Sequence, residues 1–292
     1  MHYTNSSAFR RALEDRLRNI HLETGTPLSR IRKLIAFDRF IARLIKNDAN
    51  HWILKGGLAL ELRLGNRART TKDMDLLALY TADNIHGLLV KLSKADLEDF
   101  FSFQVNKPAT SSIDVTGGIR YNVISFLDGR RFEQFHIDIG VNDQLIESPE
   151  LIKMPSWLEF ANIKPTAVPC YSISQQIAEK FHALTKPYVS GPTSRVKDLI
   201  DILLLADIKP INSIRLRHTI ISTFNNRRTH IVPATIPKIR AEYSKSYSYL
   251  ANQVKLQFRN IDEANIALDD FLSPIIMKNI KKNWNPRKWK WE

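Results

Sequence analysis

The stretch that decides the fold is WILKGGLALELRLGNRARTTKDMDLLAL, residues 52–79. Trp52-Ile53-Leu54 is a short apolar run, the composition of a buried strand. Lys55-Gly56-Gly57 breaks it. Leu58, Ala59 and Leu62 then recur at helical spacing in a segment that ends at Gly65. Arg67, Arg69, Thr70, Thr71 and Lys72 lead into Asp73-Met74-Asp75, and the apolar run Leu76–Leu79 follows. The order is strand, glycine turn, short helix, basic loop, strand.

On a strand, residues i and i+2 share a face, so Asp73 and Asp75 stand side by side. Two carboxylates so placed repel and need compensation. A divalent cation supplies it, and Mg²⁺ takes one or two carboxylates together with water and phosphate oxygens. Gly56 and Gly57 lack a β-carbon, so a phosphate can come close to backbone N–H groups at the positive end of the following helix. Apart from one another these signals are common; their combination within 20 residues points to nucleotide chemistry.

KGGLAL…RTTKDMDLL resembles the first motif of the AbiEii/AbiGii-type nucleotidyltransferase toxins, a branch of the DNA polymerase β-like superfamily. Glu179-Lys180-x-x-Ala183 and Arg195-x-Lys197-Asp198-x-x-Asp201 resemble that family's downstream motifs. The resemblance spans roughly residues 30–210. One departure stands out: many members carry Gly-Ser at the phosphate turn, whereas this chain has Gly56-Gly57, so Lys55 or backbone N–H groups would take the place of the serine hydroxyl.

The resemblance implies an α/β (α+β) fold, a polymerase β-like palm with a mixed sheet over residues 1–150. A mainly helical region over residues 151–292 follows. It implies a third metal-binding carboxylate on a neighbouring strand. In FEQFHIDIGVND, Phe135, Ile137, Ile139 and Val141 take one face and His136, Asp138 and Gly140 the other, so Asp138 is assigned that role. An ordinary polar strand face is the alternative, and His136 reads either as a phosphate contact or as a satisfied neighbour. Lys180 is implied as a phosphate or leaving-group contact. Asp198 would orient Lys180 or the ribose, or simply pair with Arg195. Arg67 and Arg69 would neutralise phosphate charge. Thr71 would approach the phosphates or serve only its own loop. The implied cofactor is Mg²⁺, with Mn²⁺ as a substitute, and the implied substrate is an NTP. The implied activity is that of a toxin from a toxin–antitoxin or phage-defence pair, transferring a nucleotide to RNA such as a tRNA acceptor end, with a cognate antitoxin as partner. Modification of a protein, or binding of nucleic acid without catalysis, are the alternatives.

Composition agrees with a polyanionic partner. Across 292 residues the net charge is +13, which suggests nucleic acid, nucleotide or an anionic membrane as partner. One cysteine, Cys170, excludes an intrachain disulfide and a cysteine-rich zinc site. No apolar run reaches the length of a membrane span, and the N-terminus has no signal-peptide core, so a cytoplasmic location is the default expectation.

Elsewhere, helical spacing predicts helices over 7–24, 28–47 and 83–99. Strands are expected over 100–105, 119–127 and 132–141, the last two joined by the tight turn Asp128-Gly129. Ser111–Gly118 and Lys186–Ser194 read as loops. The proline-bearing segment 147–170 reads as an irregular connection, and Ser172 or Ser174 caps the helix that carries Lys180. The last residues interleave Lys281, Lys282, Arg287 and Lys288 with Trp284, Trp289 and Trp291. Cations and rings of this kind suit RNA, and tryptophans that pack back on the domain are the equal alternative.

Overall fold

The computed structural model describes residues 3–80, 85–107, 118–141, 143–187 and 195–292. The chain divides into two compact units. The first comprises Met1–Arg63, Thr70–Asn142 and Glu150–Cys170; the second comprises Leu64–Arg69, Asp143–Pro149 and Tyr171–Glu292.

The first unit opens with two helices, α1 (Ser6–Thr24) and α2 (Leu28–Asp48). The Asn5 side chain accepts from the backbone N–H groups of Ser7 and Ala8, and Gly25 closes α1 in the left-handed region. α2 puts Ile31, Leu34, Ile35, Phe37, Ile41 and Leu44 into the core, and Phe37 meets Phe135 edge-on at 4.9 Å. β1 (Trp52–Lys55), α3 (Gly56–Leu64) and β2 (Asp73–Ala78) follow as the sequence predicts. α4 (Ile85–Ser93) is shorter than expected. Residues 94–100 turn instead, with Glu98 and Phe100 at positive φ. There Asp99, fully buried, takes two hydrogen bonds from buried Arg43, a pairing that a continued helix would not provide.

β3 (Phe101–Asn106), β4 (Gly118–Leu127) and β5 (Arg130–Gly140) form an antiparallel meander. Asp128 and Gly129 both have positive φ, as a two-residue hairpin turn requires. Segment 147–170 departs from expectation. It carries β6 (Glu150–Lys153) and β7 (Ala167–Cys170), which pair antiparallel. Pro169 sits within β7. The sheet is mixed, with order β3-β4-β5-β2-β1-β7-β6, parallel at β2–β5 and β1–β7.

The second unit is mainly helical: α5 (Ile173–Thr185), α6 (Val196–Ala206), α7 (Ser213–Arg227), α8 (Ser244–Gln253) and α9 (Ile261–Met277). Ser172 caps α5 through Gln175 N–H. α6 is buried almost all round and packs against α5, α8 and α9. A small hairpin, β8 (Trp284–Asn285) and β9 (Lys290–Trp291), ends the chain. The expected loops fall largely outside the described residues, at 111–117 and 188–194, as does Asp83 at the start of the predicted fourth helix. No helix among the described residues is long and apolar enough to cross a membrane.

Candidate active site

The register across β1, β2, β5 and β4 builds one polar row. Lys55 pairs with Asp75, Asp75 with Asp138, and Asp138 with Arg120. Paired residues point to the same face of a sheet, so the row reads cation, anion, anion, cation. Asp73 pairs with His136 in the next row on that face, and His136 Nδ1 lies 3.5 Å from Asp73 Oδ1. The opposite face is core: Met74, Leu76, Ile137 and Ile139 are buried. The three aspartates expected to act together are therefore neighbours on the half-exposed face of two parallel strands.

Arg120 was not among the residues the sequence singled out. Its Nε and Nη2 donate to the two oxygens of Asp138 at 2.7 and 2.5 Å, and Nη2 lies 3.8 Å from Asp73. The hydrogen bonds to Asp138 hold the guanidinium more firmly in its charged form than usual, and the charges of Asp73 and Asp75 add to this.

The glycine turn is fitted to the same row. Gly56 has φ +63°, and a β-carbon on it would fall 1.9 Å from Asp75 Oδ2. Gly57 is buried in the first turn of α3, where backbone N–H groups have no intrahelical acceptor. Thr71 is buried and local: its hydroxyl donates to Asp73 O at 3.1 Å and its N–H to Glu61 at 3.3 Å. Of its two readings, the loop role is the one these bonds describe.

The second unit holds a cluster of charge. α6 buries Asp198 and Asp201, and buried carboxylates need partners. Lys180 on α5 lies 3.0 Å from Asp198 and 2.9 Å from Asp201. Arg195 reaches the other oxygen of Asp198 at 3.2 Å. Arg69 grips Asp201 with Nε and Nη2 at 3.1 and 2.9 Å. Burial alone would push the Lys180 ammonium toward neutrality; Asp201 and Asp198 outweigh it and raise its pKa. Burial likewise works against the Asp201 carboxylate, and Lys180 and Arg69 overcome it, so its pKa is lowered. Asp198 thus pairs with both Lys180 and Arg195. Arg67 pairs with Asp207, so Arg67 and Arg69 each have a carboxylate partner within the second unit.

The aromatic tail is corrected in part. Trp284 is fully buried and its indole N–H donates to Ala206 O at 2.9 Å. Trp291 N–H donates to Phe271 O at 2.8 Å, and Trp289 N–H to Ala267 O at 3.2 Å. Trp284 is a core residue, closed to a stacking base. Lys281, Lys282, Arg287 and Lys288 are exposed.

Among the described residues no three His, Cys, Asp or Glu side chains are placed so as to hold a metal ion. Asp138 has both oxygens engaged by Arg120. The donor chemistry nevertheless suits a hard cation: Asp73, Asp75 and Asp138 offer carboxylate oxygens from one partly exposed face, where water can complete the shell.

Several solved structures align with part of the chain at low similarity. MenT4, a nucleotidyltransferase toxin from Mycobacterium tuberculosis H37Rv, aligns over 82% of this chain and 76% of its own, with 15% identity and a TM-score of 0.46. JHP933 from Helicobacter pylori aligns over 76% and 90%, with 16% identity and a TM-score of 0.39. An antigenic nucleotidyltransferase-like protein from Paracoccidioides brasiliensis aligns over 70% and 96%, with 14% identity and a TM-score of 0.43. No curated protein matches the chain by sequence. The family model for the nucleotidyl transferase AbiEii toxin of type IV toxin–antitoxin systems matches residues 39–288, and the chain belongs to that family of nucleotidyltransferase toxins.

Proposed function

We propose that the protein is a Mg²⁺-dependent nucleotidyltransferase that moves a nucleotide from an NTP to RNA, most directly a tRNA 3′ acceptor end, and so stops translation and growth. The observation that carries the reading is the placement of Asp73, Asp75 and Asp138 on one face of adjoining strands, beside the turn at Gly56. A divalent ion held there by the three carboxylates, Mn²⁺ included, would neutralise triphosphate charge and make the acceptor hydroxyl a better nucleophile. The hydroxyl gives up its proton to solvent as its oxygen attacks the α-phosphorus, the bond to the β-phosphate's bridging oxygen breaks, and pyrophosphate leaves.

The chain's own groups supply the rest. Lys55 and the first-turn N–H groups at Gly56 and Gly57 face a phosphate, as helix N-termini do. Lys180 is the contact for a phosphate or the leaving group, with Asp198 and Asp201 fixing its ammonium. Arg69 acts chiefly by holding Asp201; Arg67 acts on phosphate only by leaving Asp207. Support for RNA as acceptor comes from the net charge of +13 and the exposed cations Lys281, Lys282, Arg287 and Lys288. A toxin–antitoxin family implies a cognate antitoxin, and a cytoplasmic setting fits an RNA substrate. An abortive response to phage infection is one setting in which a self-directed block of translation would act.

The test is incubation of the protein with total tRNA, Mg²⁺ and each labelled NTP in turn. Label on tRNA with at least one NTP supports the reading and names the nucleotide. Label on protein alone would move the acceptor from RNA to protein. Tight RNA binding with no label from any NTP would remove catalysis from the account.

A further inference from the structure

Arg120 has a cost and a purpose to be weighed. It fills Asp138 with two charge-assisted bonds and leans toward Asp73. These are two of the three carboxylates assigned to the metal. The other end of the row has its own cation, Lys55, opposite Asp75. Three carboxylates thus share a face with two cationic side chains of the protein itself. The core does not depend on the Arg120 side chain. Its side chain is about half exposed, 49%, and the opposite face of β4 buries Tyr121 and Val123.

We propose that Arg120 is a built-in counter-ion that competes with the divalent ion for Asp138 and yields its place as the ion and the nucleotide arrive. The inference rests on the metal role of Asp73, Asp75 and Asp138 given above. A carboxylate has about four lone-pair sites, so the competition is partial: a bidentate guanidinium takes one lone pair from each oxygen and weakens the rest as donors. Once displaced, the planar fork of Arg120 remains on the same face, and it matches phosphate as well as carboxylate. The exchange therefore ties metal entry to the arrival of a triphosphate. Arg120 is a positioning residue here. A plain cross-strand salt bridge would stabilise the hairpin and leave metal affinity unmoved.

The experiment is a Mn²⁺ titration without nucleotide, read as free Mn²⁺ by electron paramagnetic resonance, on the wild type, Arg120→Gln, Arg120→Lys and Asp75→Asn. The glutamine variant is expected to bind Mn²⁺ about tenfold more tightly, the worth of one charge-assisted pair. Lysine makes a single-point contact, so Arg120→Lys should fall between the two and serves alone should the glutamine variant not fold. Asp75→Asn should weaken binding. Unchanged or weaker binding in both Arg120 variants, with Asp75→Asn still weakened, would overturn the role of Arg120 and leave the metal reading standing. Binding that Asp75→Asn does not weaken would overturn the metal reading itself, and the inference with it.

Discussion

A β-carbon added to Gly56 would stand 1.9 Å from Oδ2 of Asp75. The glycine lets the carboxylate stand where it does, and its φ of +63° adds a conformational reason for it. Gly56→Ala should lower stability by about 2–3 kcal/mol, from left-handed backbone strain and steric displacement together. Adding Asp75→Ala removes the two nearest contacts, at 1.9 and 2.5 Å, and leaves the strain and the approach to the residue-75 β-carbon at 2.8 Å. Urea unfolding of the two single variants and the double variant should therefore give a coupling of at least about 1 kcal/mol. Additive losses would mean that the two residues do not share this space.

The Lys180–Asp201–Arg69 cluster should govern stability at both extremes of pH. The folded pKa of Asp201 is lowered, so its contribution is complete above the ordinary carboxylate value and is lost as pH falls through the folded value. The Lys180 pKa is raised, so its contribution is complete below the ordinary lysine value and is lost as pH rises through the folded one. Asp201→Asn leaves two half-buried cations with less compensation and should cost about 3 kcal/mol near neutral pH. Denaturant unfolding against pH should also show a shallower acid limb in this variant. An unchanged limb would contradict the assignment.

His182 should remain neutral well below the usual histidine range. Burial pushes its pKa down to about 4, with His230, Arg227 and Lys186 acting in the same direction. Its Nε2 meets the Thr229 hydroxyl at 2.7 Å. The unfolded chain binds this proton first as pH falls, so stability should drop between about pH 6.5 and pH 4, by up to about 3 kcal/mol. The ring resonances of His182 should titrate near the lower value, and His182→Gln should flatten that part of the stability curve. A midpoint at the ordinary value would refute the prediction.

The C-terminal hairpin should separate folding from RNA binding. Trp284→Ala should cost about 3–5 kcal/mol, as for other large buried side chains. Replacing Lys281, Lys282, Arg287 and Lys288 with Gln should leave the unfolding midpoint nearly unchanged. Loss of each cation that contacts a phosphate should reduce the salt dependence of RNA binding by about one in slope. Loss of stability on replacing the exposed cations, with RNA binding intact, would show that the hairpin has only a structural role.

Much of the site was legible in residues 52–79, because strand and helix periods change there within a few residues and the turn has no β-carbons. Asp138 was legible from the alternation in FEQFHIDIG. Arg120 was not, for a definite reason. Counting back from the Asp128-Gly129 turn sets Leu127 opposite Arg130 and Phe126 opposite Arg131, which would bring Arg120 opposite Ile137. A bulge at Ser125/Phe126 shifts the register by one and delivers Arg120 to Asp138. A one-residue slip exchanges the two faces of a strand, and nothing in the composition of IRYNVISFL announces it. β6 and β7 were obscured by their prolines and four-residue lengths. The burial of Trp284 depends on α6 and the adjoining Ala206 carbonyl, contacts far away in sequence.

The most direct test of the central claim is transfer of labelled nucleotide to tRNA by the wild type and by Asp73→Asn, Asp75→Asn and Asp138→Asn, each shown to be folded. The account predicts transfer that requires a divalent ion and falls at least about a hundredfold in every variant, the scale of losing electrostatic stabilisation at the reacting phosphate. Transfer at the wild-type rate by Asp75→Asn, or transfer undiminished by chelation of the metal, would contradict it.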